Sequence, residues 1–158
     1  GRRIMYRLRI ISVGKIKKPF WLEAIGHYRK MLGTALCVEA LSVRDCPHLE
    51  GAGRKKAESD RLLEKITPRD TAIALHEAGT LYTSVEFAAF LRGHLENPGG
   101  DCCLLIGGAL GLSPELLDRV QAKLSLGPMT MPHELAQVVL YEQLFRATAI
   151  WSGRTYHY

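Results

Sequence analysis

Apolar positions along this chain fall into two periods that alternate from one end to the other. Between Arg7 and Val13, Leu8 and Ile10 sit among charged neighbours and the run then turns continuously apolar, the pattern of a strand closed by Gly14. Pro19 marks a first helical turn, and Trp21, Leu22, Ile25, Tyr28, Met31 and Leu32 follow at helical spacing until Gly33. Ala35 to Val43 reads as a second strand and Arg44 to Gly53 as a polar loop. Arg54 to Ile66 reads as a helix whose apolar side is Leu62, Leu63 and Ile66. Asp70 to Leu75 has the pattern of a buried strand, ending in a loop from His76 to Tyr82.

Thr83 and Glu86 form a T-x-x-E capping box for a helix running to Leu95, which Asn97 to Gly100 breaks. Asp101 to Ile106 is the next strand. Ser113, Pro114 and Glu115 supply the cap, first-turn proline and first-turn acid of the next helix. Met129 to Met131 reads as a short strand and His133 to Trp151 as the last helix. Strand and helix thus alternate throughout, which implies an α/β fold with a largely parallel sheet flanked by helices. Leu135, Val138, Val139, Leu140, Leu144, Phe145, Ala149 and Ile150 give the last helix a broader apolar arc than one sheet needs, and this points to a second subunit.

At 158 residues and 47% hydrophobic, the chain suits one domain over residues 1–158, with Gly1 to Ile4 set aside as an appended remnant or an alternative start. Its net charge of +5 favours an anionic partner, although proteins that touch no nucleic acid share such a balance. Cys37, Cys46, Cys102 and Cys103 lack metal-ligand spacing and read as reduced thiols. With no apolar stretch of membrane-spanning length and no signal-peptide pattern, a cytoplasmic protein without membrane or metal partners is expected.

The chemistry concentrates in the last third. The run C-C-L-L-I-G-G-A-L-G ends an apolar strand in Gly107 and Gly108, which places backbone without Cβ atoms where open α/β sheets bind ligands. Its G-G-x-x-G spacing matches neither the dinucleotide fingerprint nor the phosphate loop, and a tight connection with no ligand is the competing reading. Gly127, Pro128, Met129, Thr130, Met131 and Pro132 form a second irregular loop whose backbone groups are partly free to recognise a ligand. Two such loops after successive strands suggest the walls of one pocket. His133 is open to reading as a base, a cap or a packed side chain. No nucleophile with a partner base and no carboxylate pair supports hydrolysis. The terminal R-T-Y-H-Y, Arg154 to Tyr158, carries groups that stack bases and hold phosphates, or else a tail packed for stability.

Together, L-L-I-G-G-x-x-G-L-S, M-T-M-P-H-E-L, L-Y-E-Q-L-F-R-A and the terminal Y-H resemble the RlmH family of SPOUT-class methyltransferases, as do I-I-S-V-G-K and the Leu75 to Gly79 segment. The resemblance spans nearly the whole chain. It implies a SPOUT α/β domain with a carboxy-terminal trefoil knot, S-adenosyl-L-methionine as cofactor, and methyl transfer to N3 of a pseudouridine in 23S ribosomal RNA, on the assembled ribosome. It also implies a homodimer in which one subunit's tail completes the other's pocket. Carried over motif by motif, the cofactor site is Leu75, Gly107, Gly108 and Gly127 to Pro132. His157 and Tyr156 are then candidates for proton handling or base positioning, and Arg146 and Arg154 for phosphate or uracil-oxygen contacts. The chain departs from the family pattern at Tyr158, in the place after Y-H where relatives often carry a basic residue, at Gln137, often arginine, and at Ala109 and Leu110, often more polar. The alternatives are a SPOUT enzyme with another RNA target, a non-catalytic ribosome- or RNA-binding protein, and a small-molecule enzyme.

Overall fold

The strand Tyr6–Val13 (β1) sends alternate side chains to two separate cores, and this alternation organises the molecule. The structure is a computed structural model that describes residues 5–96 and 99–154. Its other strands are Leu36–Val43 (β2), Thr71–Leu81 (β3), Cys102–Ile106 (β4) and Ala122–Ser125 (β5). Between and after them come the helices Pro19–Leu32 (α1), Gly51–Leu63 (α2), Ser84–Leu95 (α3), Pro114–Arg119 (α4) and His133–Trp151 (α5). The five strands form one sheet in the order β2-β1-β4-β3-β5, and every pairing is parallel.

On one face, Leu8, Ile10, Ile73, Leu104 and Ile106 pack with Leu32 of α1, Leu91 of α3 and Leu140 and Leu144 of α5. On the other, Ile11, Val13, Ala72, Ala74, Cys103 and Leu105 meet Leu62 of α2 and Leu116 of α4. All five β4 residues are buried, because helices cover both sides of this central strand; hence its unbroken apolar run. The cysteines of that run are inert packing residues. Burial pushes the Cys102 thiol up to about 12 and that of Cys103 up to about 11. Cys46 is also buried, and Cys37 is exposed.

Local signals hold the elements in place. Thr83 Oγ1 accepts the Glu86 N–H while the Glu86 carboxylate accepts the Thr83 N–H, the reciprocal box expected for α3. Ser113 Oγ caps α4 by accepting the Leu116 N–H at 3.1 Å. Asp70 joins the starts of two strands: its carboxylate accepts the N–H of Thr67 at 2.8 Å and of Asp101 at 2.9 Å.

Three sequence expectations are corrected. The segment from His76 onward is not a loop, since β3 continues to Leu81 and pairs with β5 again at Thr80 and Leu81 after an irregularity past Leu75. The fifth strand is Ala122–Ser125, and Met129 to Met131 is irregular. Helix α2 starts earlier, at Gly51, and ends at Leu63 rather than Ile66, because Thr67 and Pro68 follow too closely for another turn.

The broad apolar arc of α5 is covered largely within the chain. Leu140, Leu144, Phe145 and Ala149 are buried, whereas Leu135, Val138, Val139 and Ile150 remain half-buried. Tyr141 is enclosed too, with Arg29 Nη1 donating to its hydroxyl at 3.4 Å. Gln137 is buried and its Nε2 has no hydrogen-bond partner among the described residues.

Candidate functional site

Parallel strands put their carboxyl ends on one edge, and there the chain after β4 makes a closed turn. Gly111 donates its N–H to the Gly108 carbonyl at 3.0 Å, and the two residues form an isolated antiparallel bridge. A side chain at Gly107 would fall 2.7 Å from the Gly111 carbonyl carbon, so only glycine permits this closure. Beyond the turn, the Ser113 N–H donates to Ser59 Oγ at 2.8 Å, fixing the turn's far end to α2.

The second wall comes from β3 and the third from the chain after β5. A single hydroxyl joins them: Ser125 Oγ donates to the Glu77 carbonyl at 3.0 Å and accepts the Gly127 N–H at 3.0 Å. Ser125 is buried, so this junction is shielded from water. The first turn of α5 closes the fourth side with His133 and Ala136, and His133 Nδ1 lies 3.2 Å from Glu134 Oε1.

These elements enclose a cavity of about 330 Å³. Of the residues expected from the sequence, Leu75, Gly107, Gly108, Gly127, Met129, Thr130 and Met131 line it. Pro128 and Pro132 belong to the same loop without lining the space. Sequence reasoning missed His76, Glu77, Leu112 and Leu126, which also face it. The first two fell in the expected loop; Leu126 directly follows a strand that was placed elsewhere. The lining combines apolar side chains with turn backbone and one carboxylate, a composition suited to a flat heterocycle carrying a polar tail. Among the described residues no group of three His, Cys, Asp or Glu could hold a metal ion.

Of the expected catalytic residues, the two arginines lie away from the cavity. Arg146, well along α5, donates to the Glu142 carboxylate at 2.7 Å and does not line the cavity. Arg154 follows the end of α5, exposed, with its guanidinium 5.7 Å from the centre of the Phe145 ring. Tyr156 and His157 lie outside the described residues. The cavity adjoins the amino end of α5 and Arg154 follows its carboxyl end; the 19 residues between span about 28 Å.

Known proteins share this fold and much of this sequence. The family model described as "Predicted SPOUT methyltransferase" matches residues 6–157. A protein of Solidesulfovibrio magneticus named ribosomal RNA large subunit methyltransferase H is 42% identical over 154 residues, covering 98% of this chain and 100% of its own. Among solved structures, a probable methyltransferase from Bordetella pertussis Tohama I superposes with a TM-score of 0.56 at 16% identity, covering 91% of this chain and 97% of its own. A Legionella pneumophila protein solved with its bound cofactor SAM has a TM-score of 0.50 at 15% identity, covering 90% and 66%. A near full-length match to the family model and 42% identity across an entire relative lead to one conclusion: this chain belongs to the SPOUT methyltransferases, and within them to the RlmH family.

Proposed function

We propose that this protein transfers the methyl group of S-adenosylmethionine to N3 of a pseudouridine in 23S ribosomal RNA, acting in the cytoplasm as a homodimer on the assembled ribosome. The observation that carries the reading is the cavity at the carboxyl edge of β3 and β4, walled by Leu75, the Gly107–Gly108 turn and the Gly127–Pro132 loop. Its volume falls within the ~300–1,000 Å³ usual for small-molecule sites. Family membership supports the cofactor and the reaction, and the name of the Solidesulfovibrio magneticus relative supports the RNA substrate.

The bound cofactor supplies an electrophilic methyl group on a sulfonium sulfur. The chain's own residues do the rest. Leu75, Leu112 and Leu126 would offer apolar surface to the adenine, and backbone groups of the two glycine-bearing loops would offer hydrogen bonds to its edge. An imide N–H is a weak nucleophile, so the protein must align N3 and help its proton to leave as the N–C bond forms. Tyr156 and His157 are assigned that role, with Arg146 and Arg154 contacting phosphate or uracil oxygens.

The span of α5 supports a homodimer. A tail that starts about 28 Å from its own chain's cavity is poorly placed to serve it, whereas a partner's tail entering the cavity brings both halves together. The same reading includes the carboxy-terminal knot: β5 lies beyond β3 at the sheet edge, yet the chain returns past Gly127 to start α5 beside the turn after β4. No helix among the described residues is long and apolar enough to cross a membrane.

The deciding experiment is labelled methyl transfer from S-adenosylmethionine to ribosomes isolated from cells that lack the family's enzyme, with the modified nucleotide mapped. Label on N3 of the pseudouridine is the expected result. Label on another nucleotide moves the target, and binding of cofactor without any transfer removes the reaction.

A further inference from the structure

A second cavity, of about 310 Å³, lies against the other side of the turn that walls the first, and Gly108, Ala109 and His133 border both. Its remaining lining is strongly basic. Lys15, Lys17 and Lys18, between β1 and α1, face Arg54 of α2, with Asp45 and Glu134 as the carboxylates. The lysines are exposed, and none forms an ion pair among the described residues. Helix α1 starts here with neither a capping side chain nor an acidic residue in its first turn, so its positive end is not neutralised locally.

Arg54 differs from the lysines in being held. Its Nε donates to Glu58 Oε2 at 3.1 Å, and the same oxygen accepts the Cys46 N–H at 2.9 Å. Glu58 is fully buried, and its other oxygen, Oε1, has no hydrogen-bond partner among the described residues. That oxygen lies 3.3 Å from where a Gly108 side chain would begin. A buried carboxylate with one bare oxygen is costly to stability. Here it fixes a guanidinium at the mouth of the basic cleft while resting against the turn that borders the other cavity. Held by Nε, the guanidinium is left with its Nη groups for an oxyanion.

We propose that this cleft binds the phosphodiester backbone of the RNA strand flanking the target nucleotide, with Arg54 as the fixed cation, Lys15 and Lys17 as mobile ones, and Glu58 as the residue that positions Arg54. The proposal rests on the reading of the protein as an RNA methyltransferase and adds where the strand lies: across the Gly108–Ala109 wall, next to the cofactor cavity. Electrostatic contacts of this kind set register and affinity and carry no base preference.

The test measures binding of large ribosomal subunits lacking the modification, across a range of salt concentrations, to wild type, Lys15→Ser/Lys17→Ser and Arg54→Lys. Calorimetric S-adenosylmethionine affinity and single-turnover methyl transfer are measured alongside. The lysine variant changes exposed residues and is expected to fold normally. Arg54→Lys keeps a charge beside Glu58 but not the planar fork. Each lost phosphate contact should flatten the slope of log affinity against log salt by ~0.7 to 0.9. The double variant should therefore lose about 1.5 in slope, with unchanged cofactor affinity and methyl transfer that needs a higher concentration of subunits to reach its half-maximal rate. Arg54→Lys should show a smaller loss of the same kind.

Unchanged slopes in both variants would overturn the subsite. So would weakened cofactor affinity in place of weakened subunit binding, since the cleft would then hold part of the cofactor. If wild type binds subunits but transfers no methyl, the parent reading fails while the slopes still judge the cleft; if it neither binds nor transfers, both fall.

Discussion

Gly107 approaches Gly111 so closely that a Cβ on the former would meet the latter's carbonyl carbon at 2.7 Å, well inside contact distance. The obstacle is backbone and cannot swing aside as a side chain would. Gly107→Ala should therefore open the turn after β4. Overpacking costs ~1–3 kcal/mol, so S-adenosylmethionine affinity should fall roughly ten- to a hundredfold by calorimetry. An affinity equal to wild type would separate the turn from the cofactor site.

Ser125→Ala should loosen the opposite wall. It removes a donor to the Glu77 carbonyl and leaves the Gly127 N–H without its acceptor in a largely buried place. Leaving a buried group unsatisfied costs ~1–3 kcal/mol. A lowered denaturant midpoint together with weaker cofactor binding is expected; a lowered midpoint alone would mean that the hydroxyl serves only the fold.

Acid should act through Asp70. Burial on its own would raise this carboxyl, but the N–H groups of Thr67 and Asp101, with Arg9 beyond them, hold it below its ordinary value. A carboxyl lowered in the folded state contributes stability that is complete above its unfolded value near ~4 and is lost as the pH falls through the folded one. Asp70→Asn should thus cost about 1–3 kcal/mol at neutral pH, and the gap to wild type should narrow by pH ~3. Chemical denaturation at both pH values checks this, and a gap that stays constant would remove Asp70 from the acid response.

Thiol titration should find a single reactive cysteine in the native protein. Cys37 is exposed, whereas Cys46, Cys102 and Cys103 are buried and burial raises the latter two thiols far above neutrality. Ellman's reagent should label one group before denaturation and four after it. Rapid native labelling of a second thiol would reveal opening of the β4 region.

His157→Ala should lower the rate of methyl transfer by ~100- to 10,000-fold, the usual effect of removing a well-placed general base. Cofactor binding should persist, because the expected cofactor residues belong to other segments. Full turnover in the variant would transfer proton handling to Tyr156 or to solvent.

Local signals in the sequence were sufficient for most elements. The capping box at Thr83, the Ser113–Pro114 start of α4 and the 19-residue α5 rest on neighbouring residues, and the structure has all three. The outer half of β3 and all of β5 were illegible for one shared reason. Their stability is non-local: Gly79 lets the two backbones come so close that its missing Cβ would lie 2.7 Å from the Lys123 carbonyl carbon. Taken alone, H-E-A-G-T resembles a loop and A-K-L-S resembles nothing in particular. The glycine-bearing loops of the cavity were legible as exceptions to regular structure. The basic cleft was not, because Lys15 and Arg54 come together only after β1 and α2 have packed.

Two cavities divided by the Gly108–Ala109 turn cannot be independent if occupation of either displaces that turn. Thermodynamic linkage then requires reciprocity: whatever factor a bound cofactor adds to the cleft's affinity for its strand, the strand must return to the cofactor. The order in which the two arrive would alter neither factor. A partition with so few side-chain atoms would make the pair report on each other's presence, and the wall between donor and acceptor sites would carry that message equally in both directions.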